Sequence, residues 1–210
     1  MNNFDEMLSK YKHANIDIGC GEKKQKGFVG MDYRKFDGVD IVHNVESFPW
    51  PIPDNTFNLA MTAHLLEHIN PAPPDARFKK LIDLLKIKGL ITDKDISAHI
   101  GEVEPGPIFM RFMDEVWRIL KPGGQFMCVF PHADSYGYRQ DPSHVNMINE
   151  ATLDYFDPYP SHLNGQSSAL YAVYHPKPWK ILANNWSTTG NMEIVLEKRL
   201  EDPSYEKLTY

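Results

Sequence analysis

The sequence predicts an α/β domain built on a mostly parallel sheet covered on both faces, and three observations carry that prediction. Short apolar runs recur through the first two thirds of the chain, separated by loops or helical stretches rather than by two-residue hairpin turns. One long segment, residues 108–120, places apolar side chains at 109, 112, 113, 116, 119 and 120, the face of a single helix. Two further runs, Trp179–Trp186 and Met192–Lys198, flank the turn-forming Ser187-Thr-Thr-Gly-Asn191 and read as a terminal antiparallel pair.

The elements follow in order. Residues 1–13 form a short amphipathic lead-in, with Phe4, Met7, Leu8 and Tyr11 at helical spacing. Asn15–Ile18 is a first strand running into Gly19-Cys-Gly21. Phe28–Met31 is a second, ending at Asp32, and 39–43 and Phe57–Ala63 are a third and fourth. Seven residues, 21–27, join the first two strands, too few for a helical crossover, so the first helix is reduced to a turn. Lys121-Pro-Gly-Gly124 stops the long helix, and Gln125–Phe130 is a buried fifth strand. Residues 71–106 interrupt this rhythm as a helical insertion. Phe78, Leu81, Ile82 and Leu85 give one helical stripe; Thr92 and Asp95 make a capping box, with Ile91 and Ile96 as its staple, for a second helix.

Composition sets the outer bounds. The chain has 210 residues, 42% of them hydrophobic, and 22 basic against 28 acidic residues for a net charge of −6. One domain of that size buries roughly 70% of its unfolded surface, and the apolar content excludes intrinsic disorder. An acidic chain is a poor binder of phosphate backbones, so nucleic acid is not favoured as a partner. The insertion holds as many basic as acidic residues, so the negative charge belongs to the rest of the domain. Two cysteines, Cys20 and Cys128, cannot build a disulfide framework; no apolar run reaches membrane-spanning length, and no leader peptide is apparent. A cytoplasmic protein, 1–210 as one domain, is expected.

The strand-to-turn segment Ile16-Asp-Ile-Gly-Cys-Gly-Glu22 carries the first functional signal, because glycines let backbone approach a ligand closely. A dinucleotide fingerprint needs Gly or Ala at position 24, where Lys24 stands. It also needs an acidic residue about 20 positions on, but Asp32 follows Gly21 by eleven. NAD binding is disfavoured on both counts. Asp32, at the end of the second strand, can instead accept hydrogen bonds from both hydroxyls of a ribose. His64-Leu-Leu-Glu-His68 matches the inverted zinc-protease pattern, in which two histidines on one helical face bind zinc and Glu67 activates water. Its third ligand would come from Glu102, Glu104 or Glu115; the pattern is short, and a zinc hydrolase is a remote alternative.

Five segments in order resemble class I S-adenosylmethionine-dependent methyltransferases of the type 11 kind. They are Asp17–Gly21, Gly30-Met-Asp32, Phe48–Phe57, Leu66-Glu-His68 and Val116–Gly124. The resemblance covers residues 14–156 apart from the insertion. It implies a Rossmann-like, mostly parallel seven-stranded sheet with an antiparallel terminal strand, and methyl transfer from S-adenosylmethionine to an O, N or C atom of an unidentified acceptor, a small molecule or protein being favoured. It further implies that Asp17, Gly19, Cys20 and Gly21 hold the methionine end and that Asp32 serves the ribose, with Tyr33 also among the cofactor-binding residues. Asn44 and Val45 would flank the adenine, and His64 would line the sulfonium side. Asn44 replaces the commoner acidic residue, and Glu22-Lys23 replace a third glycine. No metal is implied.

The same family places a D-P-x-H segment near the acceptor, matched here by Asp141-Pro142-Ser143-His144. Arg139, Asp141 and His144 are therefore expected to orient the acceptor or take its proton, a task suited to His near neutral pH. Among the aromatic residues Trp50, Tyr136, Tyr138, Tyr155, Phe156 and Tyr159, one or two would wall its pocket. The insertion, leaving the core just after His68, would serve as a lid or docking element. A protein that keeps the nucleoside pocket but performs no chemistry is the second reading.

Overall fold

The computed structural model describes residues 3–11, 14–71, 76–92 and 107–209. A short helix, α1 (Asn3–Leu8), leads into the strands β1 (Asn15–Ile18), β2 (Val29–Asp32), β3 (Ile41–Val42) and β4 (Phe57–Ala63). Two helices follow, α2 (Ala76–Ile87) and α3 (Ile108–Ile119), then β5 (Leu120–Pro131). Beyond it lie the single-turn helices α4 (Tyr136–Arg139) and α5 (Tyr171–Tyr174) and the strands β6 (Trp179–Trp186) and β7 (Asn191–Lys198).

The strands form one seven-stranded sheet in the order β3-β2-β1-β4-β5-β7-β6. β1 through β5 pair in parallel, whereas β7 is antiparallel to both β5 and β6. The seven strands and the reversed last strand implied by the resemblance are both present. Residues 21–28 hold turns and no helix, as their number requires. The insertion's first helix is α2, while the second, with its capping box, falls mostly on residues 93–106, outside the described residues.

Strand five starts five residues earlier than its apolar run. Leu120 already pairs with Phe57, and the ladder resumes at Leu59 with Gln125, so Lys121-Pro-Gly-Gly124 bulges out within the strand. The helix still stops at Ile119, directly before that bulge.

One sheet face is packed. Ile16, Ile18, Val29, Met31, Phe126, Cys128, Phe130, Met192, Ile194 and Leu196 join Phe109, Phe112, Met113, Val116 and Ile119 of α3 in one buried cluster. Trp50 meets Phe112 edge to face, 5.4 Å between ring centres. Truncating Phe112 to Ala would cost about 3–5 kcal/mol at a site this enclosed.

The other face departs from the expectation that helices cover both sides. Residues 19–28, 33–40 and 43–56, which connect β1 through β4, contain no helix. A cross-strand row on that face runs Asp17, Met61, Met127, Val195, Ala183, and Met127 remains 44% exposed. The short connections that remove the first helix also leave this face partly open.

Candidate active site

The carboxyl ends of β1, β2 and β4 lie side by side in the sheet, so Gly19–Gly21, Asp32 and His64 gather at one edge. In this fold type ligands sit beyond the strand ends where the order reverses, here between β1 and β4. The turn after β1 folds back on β2: the Gly19 and Cys20 N–H groups both donate to the Met31 carbonyl, at 2.8 and 3.2 Å. Gly19 has φ +70° and Gly21 φ +54°, and a Cβ built at Gly21 meets nothing within 4 Å. The outer side of the turn is therefore open to an approaching ligand.

Asp32 ties this turn to the second strand. Its Oδ2 accepts from Gly21 N–H at 3.0 Å and its Oδ1 from Arg34 N–H at 2.9 Å. A carboxylate offers about four lone-pair sites, so both oxygens retain capacity for hydroxyl donors. Asp17 is buried, and its Oδ2 accepts from Gln25 N–H at 2.7 Å. Burial pushes the Asp17 carboxyl up, partly offset by the Gln25 N–H and the Lys24 charge. Burial and the flanking Asp17 and Asp32 carboxylates push the Cys20 thiol to about 11, so it stays protonated and is no nucleophile.

Asn44, Val45 and Tyr33 occupy the next two strand ends. Asn44 is exposed, and its Oδ1 accepts from Glu46 N–H at 3.0 Å in a turn. Val45 is half-buried, and its carbonyl accepts from Trp50 Nε1–H at 3.0 Å. Tyr33 is exposed, with the Arg34 guanidinium 4.9 Å from its ring centre.

After β4 the chain turns sharply, with His64 at φ +54° and a 3-10 turn over Leu66–His68. There is no helix here to set His64 and His68 on one face, so the zinc-protease arrangement is not formed. Glu115 is also taken: its carboxylate is bonded by Arg118 and by Trp50 N–H. Glu102 and Glu104 lie outside the described residues.

A different constellation forms instead. Val145 and Asn146 N–H groups donate to the Glu67 carbonyl at 2.9 and 3.0 Å, and Asn146 Nδ2 donates to the Leu66 carbonyl at 3.0 Å. These bonds bring His144 beside Glu67 and His68, although 75 residues separate the segments. The His68 and His144 rings stand edge to face at 4.8 Å. Glu67 is completely buried; its Oε1 lies 3.2 Å from His64 Nδ1 and 4.0 Å from His144 Nε2, while Oε2 has no hydrogen-bond partner among the described residues. The hydrogen bond to Glu67 holds His64 above its ordinary pKa despite partial burial.

The remaining acceptor-side residues divide. Asp141 Oδ2 is 3.7 Å from His144 Nε2, and its Oδ1 accepts from Ser143 N–H and Oγ–H at 2.8 and 2.6 Å. The two bonds from Ser143 hold the exposed Asp141 carboxyl below its ordinary pKa. Arg139 is not brought into the cluster by its bonds; its exposed guanidinium pairs with Asp134 at 3.0 Å. Tyr155 and Phe156 do line a pocket of about 210 Å³, together with Phe109, Met110, Tyr174 and the insertion's stems Pro71 and Pro107.

Three features went unread in the sequence. Asp40 accepts from Gly30 N–H, Tyr11 O–H and Lys24 Nζ, and these bonds outweigh burial to hold its carboxyl low. His132 is buried and stacks on Trp186 at 3.8 Å. The grouping of Glu67 with His144 depends on backbone bonds between distant segments, which leave no local pattern.

No protein-family model matches the sequence, and no curated protein matches it. Solved structures do match in fold. A type 11 methyltransferase from Sulfolobus solfataricus is 15% identical at a TM-score of 0.47, over 95% of this chain and 92% of that one. A SAM-dependent methyltransferase from Methanosarcina mazei is 15% identical at 0.45, over 96% and 99%. The [4+2]-cyclase SpnF is 13% identical at 0.49, over 94% and 80%.

Proposed function

We propose that the chain is a class I S-adenosylmethionine-dependent methyltransferase acting on an O, N or C atom of a small-molecule or protein acceptor. The observation that carries this reading is the bond between Gly21 N–H and Asp32, at the ends of β1 and β2 beside the strand-order reversal. It sets an open glycine turn and an acidic ribose acceptor side by side, the two groups a nucleoside with a charged tail requires. The residues fit: Asp17 Oδ1 is free to meet the ammonium of the methionine end among the described residues, and a Cβ is absent where the turn opens.

The bound nucleoside supplies a sulfonium whose methyl carbon is open to in-line displacement. Asp17 and the Gly19–Gly21 backbone, Cys20 included, hold the methionine end. Asp32 and Tyr33 serve the ribose, Asn44 and Val45 the adenine, and His64 the sulfonium side. His144 and Asp141 stand on the acceptor side; Arg139 would join them only by leaving Asp134. Positioning supplies much of the rate in such a displacement. The insertion 71–106, whose stems border the apolar pocket, acts as a lid or docking element over the acceptor. The two unpaired thiols, Cys20 and Cys128, support a cytoplasmic location, and among the described residues no helix is long and apolar enough to cross a membrane.

Calorimetry with S-adenosylmethionine and S-adenosylhomocysteine tests the pocket. Binding is expected, with Asp32→Asn weakening it at least tenfold, as the loss of a charge-assisted pair implies. Absence of binding at millimolar ligand sinks the proposal. Product formation across an acceptor panel then separates an enzyme from a non-catalytic binder.

A further inference from the structure

We infer that Glu67, His68 and His144 form a binding site for one divalent transition-metal ion. One ligand atom from each lies within 4.8 Å of the others. Donors about 2.1 Å from an ion in a tetrahedral site are about 3.4 Å apart, so the side chains close on the ion by rotamer adjustments of somewhat over an ångström.

Hydrogen bonding prepares both rings for that role. The Tyr138 carbonyl lies 2.9 Å from His144 Nδ1 and can only accept, so Nδ1 carries a hydrogen and the neutral ring presents its lone pair at Nε2. At His68, Nδ1 lies 3.3 Å from both the Ser143 carbonyl and Ser143 Oγ. That hydroxyl already donates to Asp141, so it too accepts, and among the described residues His68 Nε2 has no hydrogen-bond partner. Ligating histidines characteristically donate their second N–H to a carbonyl in this manner.

The electrostatics call for a cation. His144 Nε2 faces Glu67 Oε1 at 4.0 Å and Asp141 Oδ2 at 3.7 Å, so a cation held at this nitrogen meets two carboxyl groups. Glu67 Oε2 is buried and has no hydrogen-bond partner among the described residues, where buried polar atoms are ordinarily paired. An ion bound by Glu67 answers both. Two imidazoles with one carboxylate select Zn²⁺, Co²⁺ or Mn²⁺ over Mg²⁺ or Ca²⁺. Glu67 closes the site on the buried side while His68 is exposed, which leaves coordination positions on the outer side. Resting on the methyltransferase reading, those positions would receive an acceptor oxygen and lower its pKa, which makes His144 a ligand rather than a base.

The full chain, stripped with chelator, is titrated with Co²⁺ by visible absorption and with Zn²⁺ by calorimetry. One equivalent is expected to bind, with d–d bands for cobalt and no competition from millimolar Mg²⁺. His68→Asn, at an exposed position, and the near-isosteric Glu67→Gln should each weaken binding at least tenfold, whereas His162→Asn on another turn should not. No binding by the stripped protein, or equal affinity in His68→Asn, overturns the site. S-adenosylhomocysteine binding by the same stripped sample shows that the protein is folded. It also keeps a failed metal site distinct from a failed methyltransferase reading.

Discussion

The Lys24 side chain lies against Gly30 so closely that a Cβ at Gly30 would stand 2.5 Å from Lys24 Cδ. Gly30 is on the same sheet face as Asp17, its register partner in β1. The aliphatic stem of Lys24 thus covers the strand where a crossover helix would otherwise pack, and its Nζ reaches Asp40 at 2.9 Å. The seven-residue connection replaces a helix with one long side chain and an anchoring carboxylate.

Gly30→Ala tests this arrangement. The added methyl would also meet Cys20 Sγ at 2.9 Å and the Gly38 carbonyl at 3.0 Å, and the latter is backbone that cannot swing aside. Overpacking of this kind costs about 1–3 kcal/mol, to be read from the urea midpoint. Lys24→Ala in the same chain should recover part of the loss, as a double-mutant cycle reports. Full additivity of the two changes would show that Lys24 does not occupy that space.

Gly19 and Gly21 should respond differently to alanine. Both have left-handed backbone, which alone costs a side chain about 1–2 kcal/mol. At Gly19 a Cβ would in addition press on Leu65 Cδ2 at 2.9 Å, whereas at Gly21 it meets open space. Gly19→Ala is therefore expected to lower stability more. Gly21→Ala should weaken S-adenosylhomocysteine by a larger factor than its modest stability loss explains. Equal thermal shifts with unchanged nucleoside affinity would contradict both expectations.

Arg118 joins α3 to the loop before β4. It bonds both Glu115 oxygens at 2.8 Å and reaches Asp54 Oδ1 and the Trp50 and Ile52 carbonyls. A lysine has neither the fork nor the donors to make these bonds together. Arg118→Lys should cost about 1–3 kcal/mol, the value of charged hydrogen bonds left unmade, measured by denaturant unfolding. A loss below a few tenths would mean that the carbonyls are satisfied otherwise.

The strands were legible where apolar runs had a clear period or length. Phe57–Ala63 and Trp179–Trp186 coincide with their strands, and the helical face at 109, 112, 113, 116 and 119 is the buried one. β5 was misjudged at its start because Pro and Gly end a helix yet are tolerated in a bulge. The glycine turn and Asp32 stand at the ends of β1 and β2, as their place after apolar runs required. Helices in the three connections between β1 and β4 were not to be read from the strands, because they depend on the lengths of those connections and not on any strand's own pattern. Glu67 and His144 each carried a local signal, but their meeting is made by the Glu67 carbonyl accepting from Val145 and Asn146.

Lys198 gives the chain a stability that should rise in alkali. Its ammonium is buried, bonded to the Leu120 carbonyl at 2.7 Å and Asn55 Oδ1 at 2.9 Å, and 3.8 Å from the Trp117 ring centre. Burial, opposed only in part by Asp54 and Glu201, lowers its pKa from 10.5 to about 8. Below about pH 8 the amine is charged in both folded and unfolded chains, so the folded state bears the whole cost of the desolvated charge. Between 8 and 10.5 the folded protein releases its proton first, the unfolded chain binds more protons, and stability rises with pH. The gain is at most about 1.4 kcal/mol per pH unit. Other lysines and tyrosines titrate in this window, so the comparison is with Lys198→Met, which lacks this proton. The unfolding free energy of the wild type minus that of the variant, measured in urea, should be nearly level below about pH 8 and grow from there to pH 10. A flat difference would mean that the amine stays charged in the fold, its three contacts meeting the cost of burial.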